Sequence, residues 1–333
     1  MNEDKLFLGI DYGGNAVKAG LIDSYGNLVG KTSWPTVDLV DKVACRAFAT
    51  KLGEFVHGLG YYSSELGGVG LAMPGMIAQD SYFFPNINVD MPLMLDYISK
   101  AFSKINVAVL NDANAAALGE MWMGAGGNAH SALLVTLGSG IGSGLIVDGN
   151  VVSGAHGAAG EIGHMTVVPG GRDCMCGRKG CVERYSSARG IVQSFKEAGG
   201  ADGVDTAAFS TYEPKNDTDA YTVFKAYEQG DPRAKVALAD MADKLGFALA
   251  QMACVVDPDL IMLGGGIAHS AELFIDDLRA AFGKYCLAWC AGTEIRTANL
   301  SNDAGIFGAA RYAMVQRPRD DSHRDWLDPD FGL

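Results

Sequence analysis

The chain has 333 residues, of which 48% are hydrophobic and 44 are glycine, and its formal net charge is −13. This length allows two domains with large buried cores, and the glycines follow no three-residue period, which excludes collagen. The acidic charge excludes nucleic acid and anionic membrane surfaces as expected partners. There is no apolar run long enough for a membrane span and no signal-peptide pattern, so we expect a cytoplasmic protein.

Two segments, 6–29 and 133–152, share one pattern of strands and turns. Each has an apolar strand, a glycine-rich turn, a second strand that ends in Gly-Leu-Ile, and a Gly-Asn hairpin that leads to a third strand. Helix-like and strand-like stretches then alternate in both halves. A three-strand meander followed by βα units, twice over, predicts two α/β lobes with mixed sheets and a cleft between them.

The elements that follow each meander are predicted from hydrophobic periodicity. In the first half they are an amphipathic run near 36–59, strands at 69–73 and 107–110, and a helix at 111–123. In the second half they are a helix at 231–256, a strand at 260–263, a helix at 270–284, a strand at 294–300 and a last helix at 303–316. The segment 198–222 is polar and rich in turn residues, so we expect an irregular insertion. The charged tail 317–333 is predicted to be a mobile or partner-bound extension.

Three glycine-rich turns are candidates for phosphate binding, because consecutive glycines let backbone N–H groups approach an anion. They lie at 11–15, at 136–142 in the equivalent place of the other half, and at 264–266. One such turn alone is more often only a turn, but two that face each other hold a polyphosphate from both sides. Lys18 would add charge, Asp11 would orient Mg²⁺, and the third turn suits the ribose and base of a nucleotide. The residues predicted to bind the nucleotide are Asp11, Gly13, Gly14, Asn15, Lys18, Thr136, Gly138, Ser139, Gly140, Gly264, Gly265 and Gly266.

Asp112 stands where a buried strand ends and an alanine-rich helix begins. By itself an Asp at this place is more often a helix N-cap. Beside two phosphate-binding turns, however, its carboxylate is well placed to accept the proton of a hydroxyl that attacks the γ-phosphate. We therefore predict Asp112 as the catalytic base.

The segment 160–183 carries three cysteines and a histidine at the spacing of a metal site. Cys174, Cys176 and Cys181 with His164 form a Cys3His set, which predicts a structural Zn²⁺ with tetrahedral ligands. Buried thiols or a disulfide are the alternatives. Glu161 and Glu183 flank this loop, either as solvated charges at helix ends or as carboxylates that grip vicinal hydroxyls.

These motifs resemble those of the ROK family (repressors, open reading frames and kinases), which lies in the hexokinase and actin-like superfamily. The resemblance runs from Leu6 to about Val315. The family's DxGGT turn corresponds to residues 11–15 with Asn15 in place of Thr, and its GTGxG turn has Ser139 in place of Thr. The family's zinc motif CxCGxxGCxE is matched in full from Cys174 to Glu183.

The resemblance implies a two-lobed actin-like (ribonuclease H-like) ATPase fold with a central cleft and a zinc-binding loop at 164–183. We expect an N-terminal lobe of residues 1–115 plus about 300–316 and a C-terminal lobe of residues 116–299. The implied activity is an ATP-dependent and Mg²⁺-dependent kinase that phosphorylates the C6 hydroxyl of a hexose, with glucose expected as the preferred sugar. The sugar-binding residues that the family implies are Gly75, Asn86, Asn111, Asp112, Glu161, His164 and Glu183.

The same resemblance leaves other functions open. Family relatives phosphorylate N-acetylmannosamine, N-acetylglucosamine or fructose, and polyphosphate in place of ATP is a further alternative. A sugar-responsive repressor would carry a helix-turn-helix domain before the first strand, where only five residues precede Leu6. A non-catalytic sugar sensor would lack the catalytic Asp. Family members are often dimers or tetramers, so a homo-oligomer is expected by analogy.

Overall fold

The structure, a computed structural model, describes residues 5–77, 82–84, 87–199 and 214–315. The predicted sugar contact Asn86, the tail 317–333 and the middle of the predicted insertion at 198–222 therefore lie outside the described residues.

The first half of the chain forms a mixed five-stranded sheet within the described residues, with the strand order β3-β2-β1-β4-β7. The meander strands are antiparallel, and β4 and β7 add in parallel to β1. The elements are β1 (Leu6–Tyr12), β2 (Ala16–Asp23), β3 (Leu28–Pro35), α1 (Lys42–Gly58), β4 (Leu66–Met73), β5 (Met76–Ile77), β6 (Tyr82–Phe83), α2 (Met91–Ala101), β7 (Val107–Asn111) and α3 (Asp112–Met123).

The second half repeats this arrangement, and its strand order in the described part of the chain is β10-β9-β8-β11-β12. Strands β8 and β9 are antiparallel, and β11 and β12 add in parallel. The elements are β8 (Ala132–Leu137), β9 (Ile141–Val147), β10 (Asn150–Val151), α4 (Glu183–Ser186), α5 (Ala188–Gly199), α6 (Ala220–Glu228), α7 (Pro232–Val256), β11 (Leu260–Gly264), α8 (Ile275–Tyr285), β12 (Glu294–Thr297) and α9 (Ala304–Val315). The predicted pair of meanders, each followed by βα units, is confirmed.

Several predicted boundaries are wrong. The helix expected at 270–284 is two helices, because a 3-10 helix spans Gly266–Leu273 and α8 starts only at Ile275. The strand expected at 294–300 ends at Thr297. The ends of the expected insertion are helical, since α5 continues to Gly199 and α6 begins at Ala220.

Helix α2 was not predicted, although the sequence contains its start signal. Asp90 caps the helix by accepting the backbone N–H of Leu93, and a proline stands in the first turn. Met91, Met94 and Ile98 form its buried face. This spacing of apolar residues is that of an amphipathic helix.

Alternate residues of the first sheet face different layers, as the two-residue period of a strand requires. Leu8 and Leu71 point into the core beneath α1 and α2. Their neighbours Gly9 and Gly70 face α9, and a side chain at either position would overlap the backbone of that helix. Helix α9 therefore lies directly on the sheet backbone.

Helices α3 and α9 pack against each other between the two sheets, since α9 contacts β1 and β4 and α3 contacts β8 and β9. Their backbones touch at two glycines. A Cβ on Gly119 would overlap the carbonyl oxygen of Ala304, and one on Gly308 would overlap that of Ala115. The division into lobes at 115 and 300 stays a prediction.

We expect Gly308→Ala to lower the free energy of unfolding by about 1–3 kcal/mol, because the added methyl forces α3 and α9 apart. Gly283→Ala on α8 is the matched control, since a Cβ there meets no atom within 4 Å. That control should raise stability by about 0.5–1 kcal/mol, because alanine has less backbone freedom to lose. Thermal unfolding of both variants measures the difference, and equal midpoints would contradict the close packing.

Among the described residues, no helix has both the length and the apolar character that a bilayer crossing requires.

Candidate active site

The carboxyl ends of three parallel strands meet at one edge of the first sheet and bring four predicted residues together. The register pairs Asp11 of β1 with Ala72 of β4, and Met73 of β4 with Asn111 of β7. Gly75 follows β4, and Asp112 begins α3 directly after β7. Asp11, Gly75, Asn111 and Asp112 consequently share this edge.

Asn111 is the N-cap of α3, because its Oδ1 accepts the backbone N–H of Asn114 at 3.0 Å. The alternative that Asp112 serves as the cap is therefore wrong. The Asn111 amide nitrogen donates to the Gly75 carbonyl at 2.9 Å and to Asp112 Oδ1 at 3.0 Å. Gly75 has a φ of +118°, where a side chain would also overlap the Phe83 carbonyl. Asn111 thus fixes the loop after β4 against the carboxylate that begins α3.

The surroundings of Asp112 disfavour the ionised form of its carboxylate. Burial raises its pKa from the ordinary 3.8 to about 6, and the charges of Asp11 and Glu161 act in the same direction. The backbone N–H of Ala113, which donates to Oδ1 at 2.9 Å, opposes this rise. A carboxylate with a pKa near 6 is a stronger base than an exposed aspartate and is still ionised at neutral pH.

The first glycine turn lies next to this carboxylate and is supported by hydrogen bonds from Thr36. Thr36 donates from its hydroxyl to the Gly13 carbonyl at 2.6 Å and from its backbone N–H to the Asn15 carbonyl at 3.2 Å. Lys18 Nζ lies 3.3 Å from Asp11 Oδ2. Burial raises the pKa of Asp11, and the neighbouring Lys18 lowers it. Gly14 is exposed, and a Cβ on it would meet no atom within 4 Å, so its backbone is open to a ligand.

The second and third glycine turns meet at one edge of the second sheet. The register pairs Thr136 of β8 with both Gly142 and Gly264. The second turn is closed by a hydrogen bond from Gly138 N–H to the Gly140 carbonyl at 3.0 Å. In the third, Gly265 has a φ of +82° and packs on the Leu137 backbone, while a Cβ on Gly266 would meet no atom within 4 Å.

The two sheets approach each other at the start of α3. A Cβ on Gly142 would lie 3.6 Å from the Ala113 side chain, and one on Gly144 would overlap the Ala113 carbonyl. Since Ala113 follows Asp112 directly, the predicted base lies beside the second glycine turn as well as the first. Glycine turns on both sides of a carboxylate, with open backbone at Gly14 and Gly266, fit a nucleotide triphosphate.

The predicted zinc ligands converge. The ligand atoms of His164, Cys174, Cys176 and Cys181 all lie within 4.8 Å of one another. Cys174 Sγ is 3.6 Å from His164 Nδ1, and Cys176 Sγ is 3.6 Å from Cys181 Sγ. Ligands of a tetrahedral Zn²⁺ are separated by about 3.5 to 3.8 Å, so the Cys3His set fits this metal. All three thiols are free, which contradicts the disulfide alternative for this loop.

Backbone hydrogen bonds fold the loop that carries these ligands. The Val167 N–H donates to the Gly180 carbonyl at 2.8 Å, and the Gly180 N–H donates to the Arg172 carbonyl at 2.8 Å. Gly180 has a φ of +77°, and a side chain on it would overlap the Val168 carbonyl. The CxCGxxGC spacing therefore needs its second glycine for the chain to turn back.

Glu183 and Glu161 lie between the zinc ligands and the glycine turns. Glu183 Oε2 accepts the backbone N–H of Ile141, within the second glycine turn, at 3.0 Å. Its other oxygen, Oε1, lies 4.0 Å from Cys174 Sγ. Burial raises the pKa of Glu161, with Glu183 acting in the same direction and His164 opposing it. The three predicted sugar contacts in this loop are therefore electrostatic neighbours.

Two residues that support the site were not predicted. Thr36 holds the first glycine turn from a loop with no sequence signal. Gly305, in the first turn of α9, lies so close to Asp11 that a Cβ would be 2.8 Å from the carboxylate carbon. The sequence shows it only as one glycine in an apolar helix.

The two-sheet architecture is shared with solved structures. A ROK hexokinase from Thermus thermophilus aligns with a TM-score of 0.78 and 31% identity, over 93% of this chain and 98% of that one. A ROK family glucokinase from Streptomyces griseus, in complex with glucose and AMPPNP, aligns with a TM-score of 0.72 and 30% identity, over 93% and 99% of the two chains. The fold is that of the actin-like ATPases, as predicted.

Sequence comparison gives the family. The glucokinase of Halalkalibacterium halodurans is 37% identical over 92% of this chain and 94% of that protein. The ROK family model matches residues 7–316. The chain belongs to the ROK family.

Proposed function

We propose that this protein is an ATP-dependent kinase that transfers the γ-phosphoryl group to the C6 hydroxyl of glucose. The observation that carries the proposal is its 37% identity to a glucokinase along nearly the whole of both chains. Two structural relatives, a ROK hexokinase and a ROK family glucokinase, support the same activity. The partly buried Asp112 carboxylate beside two glycine turns is the geometry that this reaction needs.

In the proposed reaction Asp112 would accept the proton of the C6 hydroxyl as that oxygen attacks the γ-phosphorus. Its raised pKa supports this role. Asn111 would keep the carboxylate oriented through its 3.0 Å hydrogen bond. The remaining sugar contacts would come from Gly75, Asn86, Glu161, His164 and Glu183.

The three glycine turns would hold the nucleotide, and the open backbone of Gly14 in the first turn and Gly266 in the third supports this assignment. Lys18 would offer a positive charge to the phosphates. Asp11 would orient Mg²⁺, whose preferred ligands are oxygen atoms. When bound, Mg²⁺ neutralises part of the negative charge on the phosphates.

His164, Cys174, Cys176 and Cys181 would hold a structural Zn²⁺, which supplies rigidity and not reactivity. Because Nδ1 of His164 faces Cys174 Sγ, its Nε2 would be left to donate to a sugar hydroxyl. The metal would thereby fix the tautomer of a substrate contact.

We also propose a cytoplasmic, homo-oligomeric enzyme. The homo-oligomer is proposed by analogy with the family, and Val255 and Trp289, 81% and 90% exposed on the single chain, are apolar residues that an interface would cover. A cytoplasmic location fits the requirement for ATP.

The proposed substrate is tested by measuring kcat/KM for glucose, mannose, fructose, N-acetylglucosamine and N-acetylmannosamine at fixed ATP and Mg²⁺. Glucose is expected to have the highest kcat/KM, because a site built from Glu161, His164 and Glu183 rejects sugars that leave these groups without hydrogen-bond partners. A tenfold higher kcat/KM for an acetylated sugar, equal to about 1.4 kcal/mol of differential transition-state binding, would contradict glucose as the preferred substrate. It would not contradict the kinase activity. The absence of phosphate transfer to any of the sugars would overturn the kinase assignment.

A further inference from the structure

Glu120 is a fully buried carboxylate on α3, two turns after Asp112. Its oxygens accept three backbone N–H groups. Oε2 accepts from Ala125 at 2.8 Å and from Asn299 at 3.0 Å, and Oε1 accepts from Leu300 at 2.6 Å. Hydrogen bonds to a charged acceptor are among the strongest in proteins, and a buried carboxylate requires them.

The chain after α3 is shaped around this carboxylate. The backbone N–H groups of Gly124 and Gly126 donate to the Glu120 carbonyl at 3.0 and 2.8 Å. A Cβ on Gly124 would overlap Glu120 Oε2. In sequence terms, Glu120 is the single charged side chain between Ala113 and Gly127, which is the signal that could have drawn attention to it.

The segment 299–305, which Glu120 holds at one end, reaches the first glycine turn at the other. The Asn302 carbonyl accepts from Lys18 Nζ at 3.1 Å. Asp303 Oδ2 pairs with Lys31 Nζ at 2.6 Å. Gly305 packs against the carboxylate of Asp11. The segment thus connects the interior of α3 to the Asp11 and Lys18 pair.

We propose that Glu120 is a positioning residue for the nucleotide half of the site, acting through the 299–305 segment on Lys18 and Asp11. It touches no substrate. By holding the Asn299 and Leu300 amides, it fixes the carbonyl that orients Lys18 and the glycine that packs on Asp11. The inference rests on the proposed function, because Lys18 and Asp11 matter only if they face bound nucleotide.

The test uses Glu120→Gln, which keeps the shape of the side chain but replaces one acceptor oxygen with an N–H donor. At least one of the three amides then loses its acceptor. We expect the dissociation constant for AMPPNP, measured by titration calorimetry, to rise about fivefold or more. The dissociation constant for glucose should stay within about twofold of wild type, because the contacts of the 299–305 segment described above are with Lys18, Lys31 and Asp11 and not with a predicted sugar contact.

Asp259→Asn is the control for the loss of a carboxylate that accepts backbone N–H groups. Asp259 also accepts two backbone N–H groups, from His130 and Ser131, each at 2.9 Å, but it lies at the start of β11, away from the glycine turns. This variant should bind both ligands as wild type does. An equal loss of AMPPNP and glucose affinity in Glu120→Gln would indicate general damage and overturn the proposal, as would unchanged AMPPNP affinity.

A double-mutant cycle tests the route through Lys18. Lys18→Met alone should also weaken AMPPNP binding, and the double variant should lose less than the sum of the two single losses. Additive losses would show that Glu120 acts by another route.

Hydrogen exchange on the unaltered protein covers the case in which Glu120→Gln does not fold. The Asn299 and Leu300 amides should gain protection when AMPPNP binds and not when glucose binds. Equal protection by both ligands, or by neither, would overturn the proposal. A wild-type protein that binds no nucleotide at all would instead overturn the proposed function.

Discussion

Asp112→Asn is expected to abolish phosphoryl transfer while sugar binding persists. The amide keeps the shape of the carboxylate and can still accept the N–H of Ala113, but it cannot take the proton of the attacking hydroxyl. Loss of a general base lowers kcat by about 10²- to 10⁴-fold. The measurement is kcat beside the glucose dissociation constant, and a variant that keeps more than half of the wild-type turnover would contradict the assignment of Asp112 as base.

The same variant should be more stable than wild type. The pKa of Asp112 in the folded chain, about 6, lies above its ordinary 3.8. Its ionised form therefore opposes folding, with a contribution that is absent below pH 3.8, grows as the pH rises to 6 and is complete above it. Removal of the charge should raise the free energy of unfolding at neutral pH by an amount on the order of 1–3 kcal/mol. A loss of stability in Asp112→Asn would contradict a strained carboxylate.

The pH dependence of the wild-type enzyme provides a second check. Because the base works only when ionised, kcat/KM should fall tenfold per pH unit below about pH 6, the pKa of Asp112. If kcat/KM stayed constant down to pH 4.5, the group that controls its fall at low pH would be a carboxylate with an ordinary pKa, which would contradict the prediction.

Cys176→Ser is expected to lose bound zinc and, with it, sugar affinity. Serine cannot replace a thiolate in a tetrahedral site, and His164 and Glu183 then lose the support that orients them. Metal analysis should find one zinc per wild-type chain and a clear deficit in the variant, with a glucose dissociation constant about 10- to 100-fold higher.

Cys254→Ser serves as its control, because this exposed thiol lies outside the Cys3His set. It should keep both the zinc and the sugar affinity. Full zinc occupancy in a Cys174 and Cys176 double variant would show that other residues hold the metal.

Local patterns in the sequence predicted the features that local physics determines. The two meanders follow from strand periodicity and glycine hairpins, and the zinc cluster follows from ligand spacing within a single loop. The start of α3 was also predicted, except that Asn111 and not Asp112 caps it. In each case the residues involved are near neighbours in the chain.

Features that depend on distant segments were not predicted. Thr36 supports Gly13 across 23 residues, and Glu120 binds the Asn299 amide across 179. Hydrophobic periodicity also missed the kink at Ser270, which lies inside the 3-10 helix Gly266–Leu273 that follows the third glycine turn. Contacts such as those of Thr36 and Glu120 form only when segments far apart in the chain come together in the fold.

The backbone contact between α3 and α9 bears on how the family fold tolerates change. Ala115, Gly119, Ala304 and Gly308 meet there, and alanine and glycine have no rotamers to lose on burial. At these four positions the contact therefore forms without any cost in side-chain entropy, but none of the four has a side chain that could repack to absorb a substitution. We expect adaptation to a different sugar to arise at the residues that contact it, such as Gly75, Glu161 and His164, and not at this backbone contact.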